Sequence, residues 1–121
     1  MAKVLVVEDN AANLTLVVFL LKSAGHSVVT AVNAEAGLAI ARTEHPDLIL
    51  MDIQLPGMDG LDATAVLKEQ ESTRAIPIIA LTALAMKGDE ERIREAGCDG
   101  YIAKPISYKD FLHTIDGLAL K

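Results

Sequence analysis

Three acids, a hydroxyl and an amine stand where they could act together: Glu8-Asp9, Asp52, Thr82 and Lys104, the last followed by Pro105. Each follows a short apolar run: Val4–Val7, Leu48–Met51, Ile78–Leu81 and Tyr101–Ala103. Two like charges about 4 Å apart repel by roughly 4 kcal/mol at an effective dielectric near 20, so clustered acids need a counter-charge or raised pKa values. A hard divalent cation answers that need, and oxygen-only ligands favour Mg2+, which accepts one or two carboxylates plus a substrate phosphate. The chemistry suggested is phosphoryl transfer. Taken singly, each residue has an ordinary use: acids at strand ends cap helices or form turns, a threonine is structural, a lysine is a solvated charge. Their joint placement at strand ends is what points to a site.

That placement depends on the elements between them. With Val28–Val32, the apolar runs make five candidate strands. The first, third and fourth lack polar alternation, as parallel strands covered on both faces do, while the second and fifth are weaker and suit the edges. Helical spacing fills the gaps. Leu14, Val17, Val18 and Leu21 form one stripe closed by Gly25. Asn33 caps a second helix bearing Ala34, Gly37, Leu38 and Ala41, which Pro46 stops, and Ala63, Val66 and Leu67 mark a third. The fourth, Lys87–Ala96, is mostly charged, with Ile93 and Ala96 as core candidates before Gly97. The fifth opens on the capping pair Ser107 and Asp110 and carries Tyr108, Phe111, Leu112 and Ile115. Five strand-helix units imply an α/β doubly wound parallel sheet with helices on both faces and ligands at the carboxyl ends of the strands.

Composition narrows the function classes. A chain of 121 residues, 51% hydrophobic and 23% charged, suits one domain over residues 1–121 and excludes disorder or a disulfide-stapled scaffold. A net charge of −6 repels phosphodiester backbones and anionic lipid, so nucleic acid is not an expected partner. The longest apolar run, Leu16–Leu21, is six residues, far short of the roughly 20 that cross a bilayer. Without a membrane insertion or a secretory h-region, a cytoplasmic address is expected. The single Cys98 reads as packing, and His26, His45 and His113 lack metal-ligand spacing.

The motifs Val6-Val7-Glu8-Asp9-Asn10, Leu48-Ile49-Leu50-Met51-Asp52, Leu55-Pro56-Gly57-Met58-Asp59-Gly60, Ala80-Leu81-Thr82-Ala83 and Gly100-Tyr101-Ile102-Ala103-Lys104-Pro105 closely resemble the CheY-like receiver domain of two-component response regulators. The resemblance spans essentially the whole chain, and Ala83–Ile106 looks most like single-domain regulators of cell division. It implies a flavodoxin-like (βα)5 fold with strand order 2-1-3-4-5. It also implies Asp52 as phosphoacceptor, and Asp9, Asp52 and the Gln54 carbonyl as Mg2+ ligands. Glu8, in place of the Asp often found there, would hold a metal-bound water. Lys104 would pair with Asp52 at rest and with the phosphoryl oxygens afterwards, a cis peptide would precede Pro105, and Gln54 and Leu84 would shape the access of hydrolytic water. Thr82 would swing to the new oxygens while Tyr101 turns inward. Inverting a 1:99 equilibrium takes about 5.5 kcal/mol, within reach of two charge-assisted hydrogen bonds at roughly 1.5–3 each.

The resemblance implies a phosphoacceptor assisting its own phosphorylation and dephosphorylation, not an enzyme. Its donor would be a histidine kinase or histidine phosphotransferase, and its output, with no output domain expected, would be binding to a downstream effector protein. If the helix-one stripe faces the sheet, Leu16, Phe19 and Leu20 point outward as a donor-side patch. Lys87, Arg92, Tyr101 and Tyr108 would lie on the face read by effectors. A role as a phosphate relay or sink in motility signalling stays open, as does a phosphorylation-independent receiver fold, although Asp9, Asp52, Thr82 and Lys104 are all in place. A haloacid-dehalogenase phosphatase would need Asp-x-Asp after the first strand. A flavodoxin-like cofactor binder would need a Gly/Ser/Thr-rich first loop where Glu8-Asp9-Asn10 stands.

Overall fold

The computed structural model describes residues 2–83 and 87–117, apart from the side chains at 87, 88, 116 and 117. Strands and helices alternate: β1 (Lys3–Val7), α1 (Ala11–Ser23), β2 (Ser27–Ala31), α2 (Ala34–Glu44), β3 (Leu48–Asp52), α3 (Gly60–Glu69), β4 (Ile78–Thr82), α4 (Lys87–Ala96), β5 (Gly100–Ala103) and α5 (Tyr108–Gly117). All pairings are parallel, in the order β2-β1-β3-β4-β5. The fold is the CheY-like, flavodoxin-like one that the resemblance implies, with the weaker runs at the edges.

Period-two alternation along the continuous apolar strands divides the core into two layers. Leu5, Val7, Ile49, Met51, Ile78 and Ala80 face α2, α3 and α4, where Leu38, Leu67 and Ile93 meet them. Val4, Val6, Leu48, Leu50, Ile79 and Leu81 face α1 and α5, against Val17, Leu21, Phe111 and Ile115. Short polar side chains start the helices: Asn10 accepts from Asn13 N–H at 2.9 Å, Asn33 from Ala36 N–H at 2.8 Å, and Asp59 from Asp62 N–H at 2.9 Å. At the other end of α2, His45 takes a left-handed conformation (φ 47°) directly before Pro46.

Two expectations need correction. β2 runs over Ser27–Ala31 instead of 28–32, because its register against β1 ends at Val7↔Ala31, where Glu8 N–H closes on Ala31 O, and Val32 is left exposed. Leu20 does not point to solvent: it is only 4% exposed, whereas Leu16 is 39% and Phe19 65% exposed. At about 100° per residue, Leu20 and Leu21 flank Val17 on either side, so the buried seam is centred on Val17 and lies about half a residue away from the stripe through Leu14 and Val18. Leu14 and Val18 are half-buried at its margin.

Glycine sets the closest approach of helix to sheet beside the phosphoacceptor candidate. A Cβ on Gly60, the first residue of α3, would lie 2.1 Å from Asp52 O and 2.7 Å from Ile53 Cα, both backbone atoms that cannot step aside. Gly25 has open space around it but a φ of +91°. Gly60→Ala is therefore expected to cost about 3 kcal/mol or more through overpacking, and Gly25→Ala only about 1–2 kcal/mol through its left-handed backbone. Urea unfolding of the two variants checks this, and equal costs would refute the steric assignment.

Candidate functional site

The sheet order brings the strand-end residues together. β1 and β3 are neighbours, so Glu8, just beyond Val7, and Asp52, the last residue of β3, lie side by side. Both are buried, while Asp9 is exposed. One carboxylate oxygen from each of Glu8, Asp9 and Asp52 lies within 4.8 Å of the others, an all-oxygen set that could hold a hard divalent cation. Thr82 ends β4 and is fully buried. Beyond β5, Lys104 is held by its N–H donating to Thr82 O at 2.8 Å, and the Lys104-Pro105 peptide is cis.

Lys104 Nζ reaches over the end of β4 to both buried acids. It lies 3.2 Å from Asp52 Oδ2 and 3.2 Å from each oxygen of Glu8. The resting pair expected between Lys104 and Asp52 is thus part of a triad. Asp52 Oδ1 accepts the backbone N–H of Gln54 at 2.9 Å, so both phosphoacceptor-candidate oxygens are engaged, and the Gln54 side chain is exposed beside them.

Two like charges with one cation leave the cluster electrostatically unbalanced. Burial, the hydrogen bond with Asp52 and the Asp52 charge push the Glu8 carboxyl above its ordinary value, against the pull of Lys104. Asn13, in the first turn of α1, adds an uncharged donor: its Nδ2 gives a hydrogen bond to Glu8 Oε1 at 3.3 Å. That contact was readable in the sequence only as an asparagine five residues past an acid.

The remaining candidates fall into two groups. Tyr101 is half-buried on β5, and its hydroxyl donates to the Glu90 carboxylate on α4. That hydrogen bond, then burial and the Glu90 charge, raise the phenol pKa. Glu90 had no signal in the sequence beyond the charge of its helix. Arg92 is exposed and lies 3.5 Å from Asp89, and Tyr108 is exposed at the start of α5. Leu16 and Phe19 form the exposed part of the helix-one patch, from which Leu20 is now excluded. Leu84 and the Lys87 side chain lie outside the described residues. Cys98 is buried beneath α3, 3.8 Å from Thr64 Oγ1, and burial raises its thiol pKa. Among the described residues, no helix is long and apolar enough to cross a membrane.

Comparison with known proteins agrees with this geometry. Residues 4–116 match the response regulator receiver domain. The chain is 52% identical over 112 residues to the polar-differentiation response regulator DivK of Brucella ovis, covering 93% of this chain and 91% of that one. Among solved structures, it superimposes with a TM-score of 0.91 on the chemotaxis protein CheY4 of Vibrio cholerae, at 29% identity over 97% of this chain and 98% of that one. A second match is the receiver domain of a sensor histidine kinase from Pseudomonas aeruginosa with a magnesium ion in its active-site cleft. It has a TM-score of 0.89 and 37% identity over 96% of this chain and 95% of that one.

The charge imbalance has a measurable consequence without divalent cations. Because the folded-state pKa of Glu8 is raised, its stabilising contribution is present at pH values below the ordinary carboxylate range and is lost as pH rises through the raised value. Asp52→Asn removes two of the causes, so it is expected to stabilise the protein near neutral pH, with the gain shrinking as pH falls toward the ordinary carboxylate range. Lys104→Met leaves the two buried acids uncompensated and is expected to destabilise by about 3 kcal/mol or more. Urea unfolding from about pH 5 to 8 checks both, and losses of the same sign would contradict the triad.

Proposed function

Because the chain belongs to the response regulator receiver family, we propose that it is a phosphorylation switch in which Asp52 accepts a phosphoryl group from a phosphohistidine. The observation that carries this reading is the Lys104 ammonium shared between buried Glu8 and Asp52 while Asp9 remains exposed at the mouth of the cluster. A carboxylate attacks a phosphoryl group poorly until the negative charge around it is offset. Lys104 offsets part of it, as a point charge able to move from carboxylate to phosphoryl oxygens. Asp9, Asp52 and the Gln54 carbonyl, with Glu8 behind, would hold Mg2+, which when bound supplies the remaining positive charge. The magnesium-bearing Pseudomonas receiver supports this assignment.

In the transfer, the N–P bond of a donor histidine protonated on its other ring nitrogen breaks, an Asp52 Oδ–P bond forms, and the imidazole leaves as the neutral base. The product is an acyl phosphate, which water cleaves back to carboxylate and inorganic phosphate, so the signal is transient. Thr82, buried at the end of β4, would hydrogen-bond the new oxygens, and Tyr101 would have to leave Glu90 to turn inward. The chain acts as a phosphoacceptor, assisting its own phosphorylation and dephosphorylation, and not as an enzyme with a separate substrate.

Donor proteins would be cytoplasmic histidine kinases or histidine phosphotransferases, docking on α1 around Leu16 and Phe19. Effector proteins would read the face of α4, β5 and α5 that includes Arg92 and Tyr108. The likeness to polar-differentiation regulators favours a role in cell division or polarity.

Intact-mass analysis after incubation with acetyl phosphate and Mg2+ tests the reading. One phosphoryl adduct is expected on the wild type, and none on Asp52→Asn or after chelation of the metal. A folded wild type that takes no adduct from acetyl phosphate or from a histidine kinase would overturn it. The buried Cys98 thiol provides a control for foldedness in the same spectra: it is expected to resist alkylation in native protein and to react fully in denaturant.

A further inference from the structure

Glu8 is fully buried, and two described side chains donate hydrogen bonds to it: Lys104 to both oxygens and Asn13 to Oε1. These two donors are not equivalent. Lys104 is shared with Asp52, 3.2 Å away, so anything that draws the ammonium toward Asp52 draws it from Glu8. Asn13 has no such competing role. The cap of α1 is supplied by Asn10, whose Oδ1 accepts the Asn13 backbone N–H, and the half-buried Asn13 side chain turns toward the sheet. A buried carboxylate that loses its partner is costly. A neutral amide can remain as a partner without adding a positive charge that would compete with a cation at the acids.

We propose that Asn13 is a positioning residue of this site: its amide holds the Glu8 carboxylate in place for metal binding and keeps it satisfied when Lys104 turns to the phosphoryl group on Asp52. The inference rests on the phosphoacceptor reading above. Asn13 touches neither metal nor phosphoryl group and acts through Glu8, as outer-shell partners of metal ligands do. It also accounts for how a longer glutamate arm is kept at one angle in the cluster.

The test compares wild type, Asn13→Ala and Asn13→Gln by calorimetric titration with Mg2+ and by the rate of acetyl-phosphate adduct formation at limiting and saturating Mg2+, with urea unfolding alongside. Asn13→Ala is expected to weaken Mg2+ binding on the order of tenfold. It should slow adduct formation at limiting metal, recover at saturating metal, and leave the unfolding midpoint little changed. Asn13→Gln, which keeps the amide donor, is expected to recover most of the affinity. Wild-type affinity in Asn13→Ala, or an equal loss in both variants, would overturn the proposal. A wild type that neither binds Mg2+ nor takes the adduct would instead overturn the phosphoacceptor reading itself.

Discussion

Two buried carboxylates side by side are the constraint around which the molecule is arranged. Glu8 and Asp52 sit on neighbouring strands, where their mutual repulsion opposes folding. Lys104 is the counter-charge in the structure, and it comes from the far side of the sheet, beyond β4 and β5. Only a long, flexible side chain with its charge at the tip can bridge that distance and serve both acids from one position. Its backbone N–H is pinned to Thr82 O, so one hydrogen bond ties the start of the Lys104 side chain to the end of β4.

A charged cluster at one edge of a sheet must be supported by stability from elsewhere. Here two apolar layers supply it, one on each face, with the inner strands contributing alternate residues to both. The layers also determine precision. Gly60 lets α3 start against the backbone of Asp52, and Gly37 lets α2 lie against the Val7 side chain, where a Cβ would be 2.7 Å from Cγ2. Close-packed backbone beneath the site leaves Asp52 little freedom, while above it Lys104 is shared between two acids. In the proposed switch, a rigid support under a shared cation would direct the free energy of a new group into moving specific side chains and not into general loosening.

Much of this was legible from the residues. Short runs of Val, Leu and Ile bounded by polar and turn residues read as strands covered on both faces, and Asn33 caps its helix by local chemistry, as Asn10 and Asp59 do in the structure. The phase of α1 was not legible. Leu14 to Leu21 is so rich in apolar residues that several stripes are equally good, and the sheet alone chooses the one centred on Val17. Contacts between separate elements were likewise hidden: Asn13 with Glu8, Glu90 with Tyr101, and the sharing of Lys104.

The sequence by itself determined the alternation of strand and helix, the residue types available for phosphoryl chemistry, and their position at strand ends, because period and capping are properties of neighbouring residues. Tertiary structure decided which acid shares which cation, which leucine faces water, and which oxygen of Asp52 is held by Gln54. Those outcomes depend on distances between residues up to 96 positions apart, as with Glu8 and Lys104. Such distances exist only once the sheet has assembled, and no local pattern encodes them.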